Sequence, residues 1–181
     1  MLIRTRSRVG RLCVGLVVLS LAGSASADDD PLAPYRDRFN LGMEKYKAGS
    51  LAEAIRVWAA IYEEIGPKRG FRVSFNLAVA YDSNGEATRA AERYRSFLEE
   101  VAVRRAAGGD IGTLVEHERQ QAEESLAALD REHGRIEIAS GPTPMLERVD
   151  DSDPRFGAFT AYVAPGRHVV TFGAGQPDAE E

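Results

Sequence analysis

Cysteine is nearly missing from this 181-residue chain, with Cys13 its sole representative, and only three histidines and one tryptophan are present. A lone thiol forms no internal disulfide, so stability has to come from packing. Catalytic groups are scarce as well. His117, His133 and His168 are the only side chains poised near neutral pH, and each falls in a different stretch of predicted structure. His117-Glu118 lacks the second histidine of a helix-borne zinc site. Gly108-Gly109 lies between helical stretches and does not follow a strand, so it is no phosphate loop. Neither Ser74 nor Ser83 has a nucleophile-elbow context. The adjacent carboxylates Glu63-Glu64, Glu99-Glu100 and Asp150-Asp151 are either side by side on a helix, pointing apart, or in a loop. The expectation is a protein that is not an enzyme, with no catalytic, cofactor-binding or metal-ligating residues and no cofactor.

Long hydrophobic runs are lacking too. The apolar-to-small stretch Leu12–Ala22 is eleven residues, too short to cross about 30 Å of hydrocarbon. Arg4, Arg6, Arg8 and Arg11 precede it, and Ala25-Ser26-Ala27 follows it before three aspartates. This is the layout of a secretory signal peptide, 1–27, with cleavage expected after Ala27 and no transmembrane span thereafter. Of the 23 basic residues four leave with the signal, so 19 remain against 28 acidic ones, a formal charge of −9. No basic stripe interleaved with aromatics occurs, and nucleic acid is excluded as a partner. Cys13 also leaves. The expected location is the periplasm or cell surface of a Gram-negative-type bacterium, secreted from the cytoplasm.

What is present is a repeat. Phe39-Asn40-Leu41-Gly42 leads through Tyr46, Gly49, Leu51 and Ala54-Ile55 to Trp58 and Ile61, and Phe75-Asn76-Leu77-Ala78 leads through Tyr81, Gly85, Ala87 and Ala90-Ala91 to Tyr94 and Phe97. A small residue where helices touch, a glycine at the turn and an aromatic one helix later suit an antiparallel helix pair that stacks on its own copy. On these residues the chain resembles the tetratricopeptide repeat (TPR). Leu41, Gly42, Gly49, Ala54, Trp58 and Pro67 in the first copy, and Leu77, Tyr81, Gly85, Ala90, Tyr94 and Phe97 in the second, stand in consensus places. Tyr46 and Pro67 each fall one position late, and the second copy lacks the closing proline. The resemblance implies a mainly α fold, a right-handed helical solenoid, over repeats 35–68 and 71–104.

Helical periodicity runs from about Pro34 to His133 with breaks at Gly49-Ser50, Gly66–Gly70, Asn84-Gly85 and Ala106–Gly109, which gives five helices. A leader, 28–34, precedes them. The fifth helix, within 110–133, is expected to cap the second repeat through Leu114, Leu126 and Leu129, with Thr113 and Glu116 spaced as a capping box and the Glu-rich face 116–124 solvated. After Gly134 the period changes to that of strands, in Arg135–Ala139, Phe159–Val163 and His168–Phe172, with Met145–Val149 a further short one. Pro165-Gly166 suits a type II turn and predicts a hairpin of the last two long strands. Gly134-Arg135-Ile136-Glu137-Ile138 and Tyr162–Val170 resemble the PEGA β-sandwich, although that family's own four-letter motif is absent. The expected module spans 134–175, followed by a disordered tail, 176–181.

In the repeat family ligands lie along the face made by the first helix of each pair. By that resemblance the candidate peptide-binding groove here is Arg36, Phe39, Met43 and Lys47 with Arg72, Phe75, Asn76 and Val79. The carboxylate-clamping subtype has lysine and asparagine where this chain has Phe39 and Met43, so the expected ligand is an apolar segment with acidic flanks. The expected role is a non-catalytic scaffold for protein–protein interaction in the cell envelope, binding a protein or peptide partner. The alternative is a carbohydrate or cell-wall binding protein that recognises its ligand through aromatic residues of the β module, among Phe156, Phe159, Tyr162 and Phe172.

Overall fold

The structure is a computed structural model, and it describes residues 33–139, 145–150 and 152–173. The expected signal peptide, nearly all of the leader and the tail lie outside the described residues. Among the described residues, five helices and two small antiparallel sheets follow a 3-10 turn, Ala33–Tyr35: α1 (Arg36–Lys47), α2 (Leu51–Arg69), α3 (Phe71–Ser83), α4 (Ala87–Ala106) and α5 (Gly112–Glu132) precede the strands. None of these helices is long and apolar enough to cross a membrane.

Each of α1, α3 and α4 stops by the same device. A glycine with positive φ follows the last turn (Gly49 at 77°, Gly85 at 80°, Gly108 at 75°), and the next amide bonds to the carbonyl five residues back. Ser50 N–H reaches Lys45 O at 2.9 Å, Glu86 N–H reaches Tyr81 O at 2.9 Å and Gly109 N–H reaches Arg104 O at 3.1 Å. Only glycine takes this left-handed position without a Cβ penalty, and the bonds satisfy carbonyls that a helix end leaves orphaned. The predicted break at Gly66–Gly70 takes another form. The helical run persists to Arg69, but Gly66 is non-helical (φ 71°, ψ 174°) and starts a last separate turn with Pro67 next to it. Arg104 closes over that turn, donating to Lys68 O at 2.7 Å and stacking 4.2 Å above the Phe71 ring.

Consecutive helices pack on one another, α1 on α2, α2 on α3, α3 on α4 and α4 on α5. The core residues recur 36 positions apart: Phe39 and Phe75, Gly42 and Ala78, Ala54 and Ala90, Trp58 and Tyr94, Ile61 and Phe97, Ile65 and Val101 are all buried. Phe39 lies 5.9 Å from Trp58, and Phe75 lies 6.3 Å from Tyr94 and 5.2 Å from Phe97. Burial of such a set supplies about 1.5–3 kcal/mol per large side chain, the main favourable contribution to the helical part.

Two features of α5 differ from expectation. Thr113 and Glu116 form no capping box: Glu116 turns instead to Arg119 (2.6 Å), and the orphan amide of Gly112 is taken by Asp110 Oδ1 at 2.8 Å. The buried stripe is Val115, Glu118, Ala122 and Leu129, with Leu114 and Leu126 only half-buried. One residue of register separates this face from one centred on Leu114, and it turns Glu118 inward.

β1 (Gly134–Ile138) leaves α5 directly and pairs antiparallel with β4 (Phe159–Val163), Ile136 opposite Ala161. β2 (Leu146–Val149) runs between β3 (Arg155–Phe156) and β5 (Val170–Phe172), again antiparallel. Ile138, Val149 and Ala161 are buried together, with Ile136, Phe159, Val163 and Val170 packed around them. The hairpin predicted from Pro165-Gly166 does not form, because β4 and β5 belong to different sheets. Gly166 has φ 157°, nearly extended, whereas a type II turn needs about +80° there. The strand pattern was legible, but alternation says which face is buried, not which strand is the neighbour.

Candidate functional site

The eight residues of the expected groove divide into two groups. Phe39 and Phe75 are core: they are 5% and 3% exposed, and the carbonyl of Phe39 accepts the Trp58 indole N–H at 3.2 Å. An apolar groove floored by these rings is therefore not what α1 and α3 present. Arg72 is drawn inward as well, its Nη2 3.2 Å from Glu118 Oε1 on α5. Arg36 and Lys47 are exposed on α1, Met43 is half-buried beside them, and Asn76 and Val79 are half-buried on α3. The Asn76 amide donates back to Arg72 O at 2.9 Å, and Ser83, one turn beyond Val79, bonds Val79 O at 2.8 Å and the Tyr46 hydroxyl at 3.1 Å. What remains is a shallow face with basic groups along α1 and polar and aliphatic groups along α3.

Glu118 escaped the sequence reading, which placed it on a solvated face. It is 1% exposed, its Oε2 has no hydrogen-bond partner, and burial raises its pKa against the opposing pull of Arg72. The signal was available: Glu118 sits three residues after Val115 and four before Ala122, in register with the buried stripe. The pair ties α5 to α3 across a largely buried contact, and such pairs are costly to break from one side.

A second concave feature lies between the start of α4 and the β segment. It is a cleft of about 850 Å³ whose walls include Thr88, Arg89, Asp153, Phe159, Tyr162 and His168. The α4 wall is fixed to the backbone of β4 through Thr88. The Thr88 hydroxyl accepts Tyr162 N–H at 2.8 Å and lies 3.4 Å from Tyr162 O, so it covers part of a strand edge that β1 leaves open. The Tyr162 ring is buried, its hydroxyl donates to Asp130 Oδ1 at 2.8 Å, and Arg95 donates to that hydroxyl while standing over the ring. Two ion pairs cross the same seam, Arg89 with Asp153 at 2.5 Å and Arg155 with Glu92. Arg155 also covers the Phe159 ring.

On the far wall His168 sits between two acceptors, its Nδ1 2.7 Å from Asp150 Oδ2 and its Nε2 2.6 Å from Ala164 O. The hydrogen bond to Asp150, followed by that to Ala164, raises the imidazole pKa above its ordinary value. The Val169 amide, then His168, lowers that of Asp150. Sequence alone placed His168 only at the start of a predicted strand. His117 is exposed as expected, and His133 ends α5, near Leu129 O and edge-on to Tyr162.

The aromatics suggested for sugar recognition do not share a platform. Tyr162 is core and Phe159 is covered. Phe156 and Phe172 are exposed, but they stand opposite Leu146 and Glu147, successive residues of β2 that face opposite ways. Among the described residues no group of three or more His, Cys, Asp or Glu is placed to hold a metal ion. No family model, curated protein or solved structure matches the chain.

Proposed function

We propose that this chain is a non-catalytic protein–protein interaction module built of TPR-like helix pairs, acting in the bacterial cell envelope after export. The observation that carries the reading is the recurrence of one helix-pair design, in which the same positions are buried and the same glycine turn closes each first helix. In such repeats the first helices supply the ligand face. α5 follows α4 through a third turn of the same type and is joined to α3 by Glu118 and Arg72.

Loss of Phe39 and Phe75 to the core changes the ligand that this face suits. With Arg36 and Lys47 exposed and Met43 and Val79 half-buried, it favours a segment that brings acidic side chains and a modest apolar contact. Electrostatic attraction of this kind gives specificity and association rate more than raw affinity. The test is capture from an envelope extract by the processed chain and by the Arg36→Glu, Lys47→Glu double variant, with what copurifies identified. The expected result is salt-sensitive capture of an acidic partner that the variant loses while its thermal melt stays unchanged. Equal capture by both, with equal melts, contradicts this ligand face.

A further inference from the structure

We propose that His168 and Asp150 form a proton-held clasp that fixes one wall of the cleft between α4 and the β segment, anchored in mildly acidic solution and released in alkaline solution. The reason is geometric. An imidazole between a carboxylate and a carbonyl, at 2.7 and 2.6 Å, faces two acceptors and no donor. Neutral imidazole carries one N–H and satisfies only one of them, leaving a ring lone pair against an oxygen; the imidazolium carries two and satisfies both. The ring is partly enclosed, its side chain 18% exposed, and both of its nitrogens are directed at these oxygens.

The clasp reaches the backbone on both sides. Asp150 has φ 51°, the only non-glycine residue with positive φ among those described, and its other carboxylate oxygen accepts Val169 N–H at 2.9 Å. Its own N–H bonds Val169 O at 2.8 Å, which extends the β2–β5 pairing where Val149 faces Val170. Deprotonation of the ring thus weakens the contact that sets the turn after β2 against the segment leading into β5, and Asp150, Ala164 and His168 all line the cleft. The other charged groups on the cleft walls are engaged elsewhere or stand off the ring. Arg89 from the first turn of α4 is held by Glu86 and Asp153, and Arg155 from β3 by Glu92. His133 at the end of α5 contacts Leu129 O and the Tyr162 ring, and Arg167, next in the chain, is exposed.

The sign follows from linkage. The folded-state pKa of His168 lies above the ordinary 6.5, so its contribution is complete below 6.5 and fades as pH rises through the folded value. Asp150 is shifted down, so its contribution holds above 3.8 and fades only as pH falls through its lowered value. The clasp is tightest between those limits.

The experiment is a pH titration of the full chain by 1H–15N NMR, following the His168 ring nitrogens and the Val169 amide. The expected result is a His168 midpoint above 6.5, with the Val169 amide shifting at the same midpoint and exchanging with solvent faster above it. In Asp150→Asn, a substitution that tolerates the left-handed backbone, the His168 midpoint falls towards 6.5. A wild-type midpoint at or below 6.5, a Val169 amide that does not respond, or a midpoint unchanged in Asp150→Asn each overturns the clasp.

Discussion

The two helix pairs share one pattern but solve the contact between their helices with different side chains, and the difference shows how sequence volume is conserved. In α1 and α2 the contact is Gly42 against Trp58; the equivalent positions of α3 and α4 hold Ala78 and Tyr94, both buried. A Cβ placed on Gly42 would lie 2.7 Å from Trp58 Cδ1, so the larger indole is accommodated only because the facing residue has no side chain. The pairs also differ in what covers them. Leu77 is 1% exposed, whereas its counterpart Leu41 is 43% exposed, because α3 packs on both α2 and α4 while, among the described helices, α1 packs mainly on α2. The second pair further carries α5 through Arg72 and Glu118 and the β segment through Thr88 and Tyr162.

Substitutions at equivalent positions turn this comparison into measurable differences. Leu77→Ala should cost about 2–5 kcal/mol in urea denaturation, while Leu41→Ala should stay within about 0.5 kcal/mol. Equal costs would mean that α1 is covered as well as α3 is. Arg72→Met leaves Glu118 buried without its partner and should cost about 3 kcal/mol, a value near the low end for breaking a buried pair because Arg72 keeps some solvent contact. Glu118→Gln tests the same link through pH. Because burial raises the folded pKa of Glu118, this group's contribution is complete below about 4.5 and declines as pH rises through the folded value. Stability measured from pH 4.5 to 7 should thus fall less steeply in Glu118→Gln than in the wild type. Tyr162→Phe removes the hydroxyl bonds to Arg95 and Asp130 and should cost about 1–2 kcal/mol, read as a loss of stability without change of helical content. Exported protein should have an intact mass that starts at Asp28, and retention of Met1 would refute cleavage of the signal.

The helical half was legible because its signals are local. Glycines at 49, 85 and 108 marked the helix ends, and the spacing from Phe39 to Trp58, repeated from Phe75 to Tyr94, marked the pairs. The inward face of α5 was missed because apolar residues occupy adjacent positions, Leu114 and Val115, and the true stripe contains a carboxylate. The groove was misjudged at Phe39 and Phe75 for a related reason: periodicity identifies the helix face, not whether an aromatic on it turns to the neighbouring helix or to solvent. In the β segment the strands were visible but their partners were not, since Gly134 and Val163 meet only through the fold and no local turn joins them. The seam of Thr88, Arg95 and Tyr162, and the pairing of Asp150 with His168, join residues distant in the chain and left no trace in spacing.

The equivalence of the two pairs is tested most directly by giving the first pair the residues of the second, Gly42→Ala and Trp58→Tyr, singly and together, in a double-mutant cycle of unfolding free energies. Gly42→Ala alone should cost about 1–3 kcal/mol by overpacking against the indole. The combined variant should recover much of that loss, with a coupling of at least about 1 kcal/mol in the favourable direction. Strictly additive costs would show that Gly42 and Trp58 are not the counterparts of Ala78 and Tyr94, and the single helix-pair design would fail with them.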